Sequence, residues 1–190
     1  MTGDPTARPP DGVRIRQEGP ADADEIGRLH DAAFGDPQVA PLVEAIRASP
    51  GYRPELSLVA ELDADPVRPI VGHIMLSASD LVGEDGTTVP ILILSPLGVR
   101  PGDQNRGIGI ALTRAALDLA DARSEPLVIV QGHPDYYPRF GFVRGRTIGV
   151  LPPEHLGAID KAWMVRRRPR AFEAIRGRVV YSQPFIDLDD

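Results

Sequence analysis

The chain contains one stretch in which a buried strand, a glycine-rich polar turn and a helix follow one another directly. The strand is predicted over residues 91–99 and the turn over 100–107, and the helix opens at Gly107-Ile-Gly109. The first N–H groups of a helix have no partner within the helix, and the helix dipole makes that end positive. The turn is therefore predicted to bind an anion, for which a phosphate or pyrophosphate is the natural ligand.

The bulk composition restricts the class of protein. A length of 190 residues suits one domain, and a net charge of −6 argues against nucleic acid as a partner. The absence of cysteine excludes disulfides, thiolate metal sites and a cysteine nucleophile, and we expect no metal. The first residues contain no apolar signal core, and no run approaches the ~18 apolar residues of a membrane span. We therefore expect a cytoplasmic protein with no membrane partner.

Hydrophobic periodicity predicts further strands and helices on both sides of this unit. Helices are predicted over residues 20–34, 39–48 and 108–122. Strands are predicted over residues 13–17, 56–62, 70–76 and 127–131 and, nearer the C-terminus, over 147–151, 163–167 and 179–181. The order strand, helix, strand around the turn implies a right-handed crossover and a locally parallel pair of strands.

The same patterns predict a single domain with loose ends. Residues 1–12 are rich in proline and glycine and almost without apolar side chains, which predicts a flexible N-terminal tail. Residues 13–185 are predicted to form the domain, with 143–185 as its divergent C-terminal part. Residues 186–190 are predicted to be an acidic tail.

Two common phosphate-binding loops do not fit the turn. Gly102 and Gly107 have the spacing of a P-loop, but Ile108 and Gly109 stand where that loop requires Lys and then Ser or Thr. Without those side chains nothing would reach a transferring phosphate or hold Mg²⁺, which argues against a nucleotide triphosphatase. A dinucleotide-binding Gly-x-Gly-x-x-Gly motif would begin at Gly107 but meets Leu112 at its last glycine.

Three segments match the sequence blocks of a known family. Gln104-Asn-Arg-Gly-Ile-Gly109 matches the pattern Gln/Arg-x-x-Gly-x-Gly/Ala, and Leu97-Gly-Val-Arg-Pro101 matches the strand that enters this loop. Tyr136-Tyr-Pro-Arg-Phe-Gly-Phe142 matches a later Tyr-x-x-x-Gly-Phe block. On these residues the chain resembles the Gcn5-related N-acetyltransferases (GNAT superfamily), and in particular a bacterial subgroup of predicted N-acetyltransferases. The resemblance covers residues 13–142 in the order of the elements.

The resemblance implies an α/β (α+β) fold of the acyl-CoA N-acyltransferase type. A mixed, mostly antiparallel sheet of about six to seven strands would be flanked by helices, with a splayed parallel pair at the cofactor cleft. Acetyl-CoA would be the co-substrate, its pyrophosphate bound by N–H groups of the turn and its pantetheine arm paired with the preceding strand. The implied cofactor-binding residues are Leu97, Gly98, Val99, Gln104, Asn105, Arg106, Gly107, Ile108 and Gly109.

The resemblance also implies direct transfer, in which an amine attacks the thioester carbonyl and coenzyme A leaves. Tyr137 takes the position of the general acid for the leaving sulfur, and the Val99 N–H is a candidate to polarise the carbonyl oxygen. His133, Glu61 and His73 are the candidate bases, the last two in one predicted hairpin. Each of these side chains also has a purely structural interpretation, so the identity of the base stays open.

Two functions from different classes are compatible with these residues. The first is an N-acetyltransferase that moves an acetyl group from acetyl-CoA to a primary amine on a small molecule or a peptide. The second is an acyl-CoA-binding sensor that keeps the loop of residues 104–109, does little chemistry and is indifferent to Tyr137. The late strands and Trp163 are compatible with a homodimer in either case.

Overall fold

The computed structural model describes residues 9–63, 65, 67, 69–157, 159–168 and 175–187. The predicted N-terminal tail lies outside these residues up to position 8, and the predicted acidic tail lies outside them from position 188. Within the described residues the strands form one sheet, and helices pack against both of its faces.

The sheet is mixed and mostly antiparallel, as predicted. Its strands are β1 (Val13–Gln17), β2 (Ser57–Leu62), β3 (Ile70–Val82), β4 (Thr88–Val99), β5 (Leu127–Gln131), β6 (Val143–Arg144), β7 (Val150–Leu151), β8 (Trp163–Arg167) and β9 (Gly177–Val180). Neighbours follow the order β1-β2-β3-β4-β5-β8-β6, while β9 pairs with β3 and β7 with β9. Among the described pairs only β4–β5 and β7–β9 are parallel. The main path has seven strands, in agreement with the predicted six to seven, and β7 and β9 bring the described sheet to nine strands.

The helices divide between the two faces of the sheet. They are α1 (Ala23–Phe34), α2 (Val39–Ala48), α3 (Ile108–Asp121) and α4 (Gln183–Ile186). Helix α3 packs on one face and α1, α2 and α4 on the other. Successive residues of β2 point to opposite faces of the sheet. Leu58 packs in the hydrophobic core on the α3 side, and Val59 packs in the core on the α1 side. None of the helices in the described ranges is long and apolar enough to cross a membrane.

Strands β4 and β5 pair over a short distance and then separate. Their parallel register joins Leu92 to Val128 and Ile93 to Ile129. Beyond these positions β5 keeps its partner β8 as far as Gln131, and β4 keeps its partner β3 as far as Val99. A wedge therefore opens between the carboxyl ends of β4 and β5, which confirms the predicted splayed pair.

Two predicted strands differ most from the structure in extent or conformation. Strand β3 continues to Val82 instead of ending at residue 76, because its antiparallel register with β4 continues to Thr88. In the predicted strand 147–151, residues 147 and 148 belong to a 3-10 helix over Gly145–Ile148, and only the last two residues are extended. Gly149 has a φ of 77°, which places a left-handed residue where an extended strand cannot continue.

A buried chain of polar side chains joins α1 to the sheet. His30 Nε2 lies 2.8 Å from His73 Nδ1, and His73 Nε2 lies 3.1 Å from Glu18 Oε2. His73 Nε2 also lies 3.0 Å from the hydroxyl of Ser57. Both imidazoles are fully buried, and these three residues are called the His30–His73–Glu18 chain below.

Glu18 is the charged end of this chain. Its carboxylate accepts two hydrogen bonds from Arg47, each 2.9 Å, and one of 2.6 Å from the Tyr52 hydroxyl. Burial opposes ionisation, but the hydrogen bonds from His73, Arg47 and Tyr52 hold the pKa of Glu18 well below its usual range. Burial lowers the pKa of both histidines, that of His30 to about 3. The chain is therefore a carboxylate followed by two neutral imidazoles.

We expect the free energy of unfolding to fall as the pH is lowered below about 6.5, the ordinary pKa of histidine. In the folded protein the pKa of His30 is lowered to about 3, so between these values the folded state binds fewer protons than the unfolded chain. The stabilisation that neutral His30 contributes is complete above the pKa of histidine in the unfolded chain. It is lost on acidification below that pKa, at about 1.4 kcal/mol per pH unit for His30.

Urea unfolding at several pH values between about 7.5 and 5 measures this slope. The matched comparison is His30→Gln, which removes the titrating group and should flatten the curve by the contribution of one histidine. An unchanged slope in the variant would contradict the assignment.

Candidate functional site

The first part of the site is the turn that opens α3. Gly107 is the N-cap residue of α3 and has a φ of 86°, a left-handed conformation that favours glycine. No side chain caps this helix start. Asn105 also has a positive φ, 61°, which asparagine tolerates better than most residues. The turn therefore leaves the first N–H groups of the helix available to an anion.

Side chains of the turn hold it against the strand before it. The buried carboxylate of Asp103 accepts hydrogen bonds from Arg100 Nε at 2.6 Å and from Arg106. The Gln104 amide donates to the carbonyl of Val99 at 3.1 Å. The loop is thus held in place by its own polar residues.

The second part of the site is the free edge of β4. The Arg100 N–H donates to the carbonyl of Val71 in β3 at 2.9 Å, so it points toward β3. Along a strand the backbone groups alternate between the two edges, so the N–H groups of Val99 and Leu97 point away from β3. They point toward the wedge, where β5 no longer pairs with β4. An extended ligand could pair with β4 along this edge.

The wedge and the turn together form a cleft of about 860 Å³. It is lined by seven of the predicted cofactor residues, namely Leu97, Val99, Gln104, Asn105, Gly107, Ile108 and Gly109. Gly98 and Arg106 are not among its lining residues: Gly98 faces His30, and Arg106 is turned toward Asp103. On the side of α1 and α2 the cleft is closed by Phe34, Val39 and Leu42.

The structure brings both adjacent tyrosines to this cleft. Tyr137 is 7% exposed and packs against the end of β5, where a Cβ on Gly132 would lie 2.4 Å from its ring. Burial raises the pKa of Tyr137, so its hydroxyl stays protonated at neutral pH. The Tyr136 hydroxyl lies over the start of α3, 3.1 Å from the position of a Cβ on Gly109 and 3.5 Å from Thr113 Oγ1.

The three candidate bases lie in different places, and His73 is fully buried and is not among the residues that line the cleft. His133 is exposed and lines the cleft. Glu61 is not among the lining residues and is instead ion-paired with Arg14 at 2.6 Å and Arg16 at 2.5 Å. Hydrogen bonding from Arg16 lowers the pKa of Glu61, which makes it a weaker base. The structure therefore groups His133 with Tyr137 and does not bring Glu61 to them.

The sequence analysis named His73 but missed its two partners behind the cleft, His30 and Glu18. His30 lies on the apolar face of α1 between the buried Leu29 and the cleft residue Phe34, and it contacts β4 at Gly98. The available signal was a histidine inside an otherwise apolar helical stripe. Within the described ranges no group of three or more histidine and acidic side chains is arranged to hold a metal ion.

The sequence is similar to known acetyltransferases. Residues 14–145 match the family model of the acetyltransferase (GNAT) domain. The chain is 35% identical to the uncharacterised N-acetyltransferase YjhQ of Escherichia coli K12 over 123 residues, 64% of this chain and 65% of YjhQ. It is 29% identical to a mycothiol acetyltransferase of Nocardioides over 152 residues, 74% of this chain. The chain spans 65% of YjhQ and only 51% of the mycothiol acetyltransferase.

Solved structures with the same fold extend the similarity over almost the whole chain. The GNAT family N-acetyltransferase YhbS of Escherichia coli, in complex with CoA, has a TM-score of 0.80 and 26% identity, covering 98% of this chain and 96% of YhbS. A GNAT family acetyltransferase of Brucella melitensis, in complex with acetyl-CoA, has a TM-score of 0.70 and 29% identity, covering 91% of this chain and 97% of that one. With its turn, its separated strands and these similarities, the chain belongs to the GNAT family of acetyltransferases.

Proposed function

We propose that this protein is an N-acetyltransferase that moves an acetyl group from acetyl-CoA to a primary amine on a small molecule or a peptide. The observation that carries the proposal is the wedge between β4 and β5, which meets the open N-terminus of α3 in one cleft. Two of the similar structures contain CoA or acetyl-CoA, which supports the same ligand here.

The chemistry of the cleft fits acetyl-CoA at each of its parts. Backbone N–H groups around Gly107 and Ile108 suit the pyrophosphate, whose charge the α3 dipole also favours. The amide groups of the pantetheine arm suit the free edge of β4. The Val99 N–H then donates to the thioester carbonyl and stabilises the negative charge that develops there.

The transfer proceeds by direct attack of the amine on that carbonyl. A carbon–nitrogen bond forms, the carbon–sulfur bond breaks, and coenzyme A leaves as a thiolate. Tyr137 donates a proton to the leaving sulfur, since it lines the cleft and its hydroxyl is protonated at neutral pH. The amine enters from the side of Phe34 and Leu42, opposite the turn.

The rise in melting temperature on adding a ligand tests which cofactor the protein binds. We expect CoA and acetyl-CoA, but not ATP or NAD, to raise the melting temperature, with a stabilisation of about 2.7 kcal/mol at 100-fold over Kd. Gly107→Ala should reduce this increment, because alanine disfavours the left-handed N-cap that directs the N–H groups. Gly102→Ala is the matched control, since a Cβ there has nothing within 4 Å. A full increment in Gly107→Ala, or a preference for ATP, would contradict the proposal.

Removing the Tyr137 hydroxyl tests the chemistry. We expect Tyr137→Phe to lower kcat about 100-fold or more with an amine acceptor, because general acid catalysis contributes on this scale. Its CoA-induced stabilisation should stay unchanged. Tyr136→Phe is the matched control and should keep most of the activity. A wild-type protein that binds CoA but acetylates none of a broad amine panel would favour the sensor instead.

A further inference from the structure

We propose that the acceptor is a primary amine whose substituent is apolar and uncharged, and that this substituent binds in a second cavity beside the cleft. The inference rests on the proposed function and deepens it by naming the substrate class. It starts from a cavity of about 270 Å³ that is lined by residues of α2, β4 and β5 and of the C-terminal segment.

The cavity adjoins the cleft where β4 and β5 separate. Four residues line both spaces, namely Leu42, Leu94, Ser95 and Gln131. Gln131 is the last residue of β5, and a Cβ on the next residue, Gly132, would lie 2.4 Å from the Tyr137 ring. The cavity therefore lies beside the tyrosine that is proposed to protonate the leaving sulfur. An amine that attacks there can place its substituent in the cavity.

Apolar and aromatic side chains from distant parts of the sequence meet at this cavity. Leu42 comes from α2, while Leu156, Tyr181 and Phe185 come from the C-terminal segment. The ring centroids of Tyr181 and Phe185 are 5.0 Å apart. Phe34 is 47% exposed and continues this apolar wall along the cleft. An exposed apolar surface inside a cleft is typical of a site that binds an apolar ligand.

The polar groups of the cavity are uncharged. They are the Ser95 hydroxyl, the Gln131 amide and the Tyr181 phenol. Ser95 and Gln131 belong to the wall that the cavity shares with the cleft. Hydroxyl and amide groups there suit a hydrogen bond with the reacting nitrogen, and the deeper apolar side chains suit the substituent.

The cavity offers no partner to a charged substituent. None of its lining residues in the described part of the chain is charged. The carboxylate that ends the His30–His73–Glu18 chain is not among the residues that line the cavity or the cleft. A carboxylate or a second ammonium on the acceptor would therefore leave water without gaining a partner, which is costly.

The charged side chains of the cleft are committed to other contacts. Asp103 accepts hydrogen bonds from Arg100 and Arg106 within the turn. Arg139 donates to the carbonyl of Tyr136 at 2.9 Å, and its guanidinium lies 5.0 Å from the centroid of the Tyr136 ring. Neither Asp103 nor Arg139 lines the cavity, so neither selects the substituent of the acceptor.

The volume of the cavity limits the size of the substituent. A cavity of roughly 150 Å³ with apolar walls holds one benzene ring. The larger volume of about 270 Å³ therefore holds a ring with a short linker or a branched aliphatic chain. Phenethylamine and butylamine are suitable probes of this size.

Acceptor kinetics test the substrate class with amines of matched length. Butylamine, putrescine and γ-aminobutyrate have the same number of carbons and differ at the far end, which is a methyl group, an ammonium or a carboxylate. We expect kcat/KM for butylamine to exceed that for either charged analogue about ten-fold or more, because the cavity leaves the second charge unpaired. Phenethylamine should match or exceed butylamine.

A carboxylate introduced into the cavity tests where the substituent binds. Leu156→Asp should raise kcat/KM for putrescine relative to butylamine about ten-fold, because the new carboxylate pairs with the second ammonium. The KM for acetyl-CoA should stay unchanged. Leu119→Asp is the matched control and should keep the wild-type preference, since Leu119 is exposed on α3 and lines neither the cavity nor the cleft.

The outcomes distinguish the two levels of inference. A wild-type protein that acetylates no amine, charged or apolar, refutes the proposed function. Acetylation of putrescine or γ-aminobutyrate as fast as butylamine refutes the substrate class alone, and an unchanged preference in Leu156→Asp refutes the placement in the cavity. If Leu156→Asp does not fold, Phe34→Ser decides. It should raise the KM for butylamine but not for acetyl-CoA, and an unchanged KM for butylamine would overturn the role of the apolar wall.

Discussion

The structure depends on the separation of β4 from β5. Where the two strands pair, as at Leu92 and Val128, their backbone N–H and C=O groups form hydrogen bonds between the strands. Where they diverge, the outer edge of β4 loses its partner, and each unpaired backbone group must find another. An extended ligand with its own amide groups satisfies that need. The turn that opens α3 follows at the end of the same strand, so the strand and the turn together border one cleft.

The sheet also separates two chemical environments. On the α3 side lie the open helix start and the loop held by Asp103, where charge and backbone N–H groups dominate. On the α1 side lie apolar residues such as Phe34 and Leu42, with a polar chain buried beneath them. A phosphate-bearing ligand suits the first environment and an uncharged amine the second. The wedge is where the two sides meet.

The unit of residues 91–131 could be predicted from the sequence because its signals are local. Hydrophobic periodicity and glycine positions determine strand, turn and helix within a short window. Of the C-terminal strands, β8 was predicted with its bounds, but the pairing of β7 and β9 could not be predicted, since these strands are short and are held by contacts distant in sequence. The buried chain was missed for the same reason, because His73 is 43 residues from His30 and 55 from Glu18.

The candidate base Glu61 shows how neighbours decide the chemistry of a side chain. Its position in the central hairpin was inferred correctly, but its protonation depends on the arginines opposite it in β1. Arg14 and Arg16 share one face of that strand because residues two apart point the same way. This alternation was visible in the sequence. What could not be seen was that β1 pairs with β2 in the register that sets these side chains beside Glu61.

Gly98 gives α1 direct contact with the backbone of the cofactor strand. Because no side chain intervenes, the His30 ring rests on main-chain atoms, and any shift of the helix reaches β4 without being absorbed by a rotamer change. The two walls of the cleft are therefore linked through rigid parts. A molecule that shifted α1 would therefore also shift the backbone of β4 that borders the cleft, so the two walls would move together.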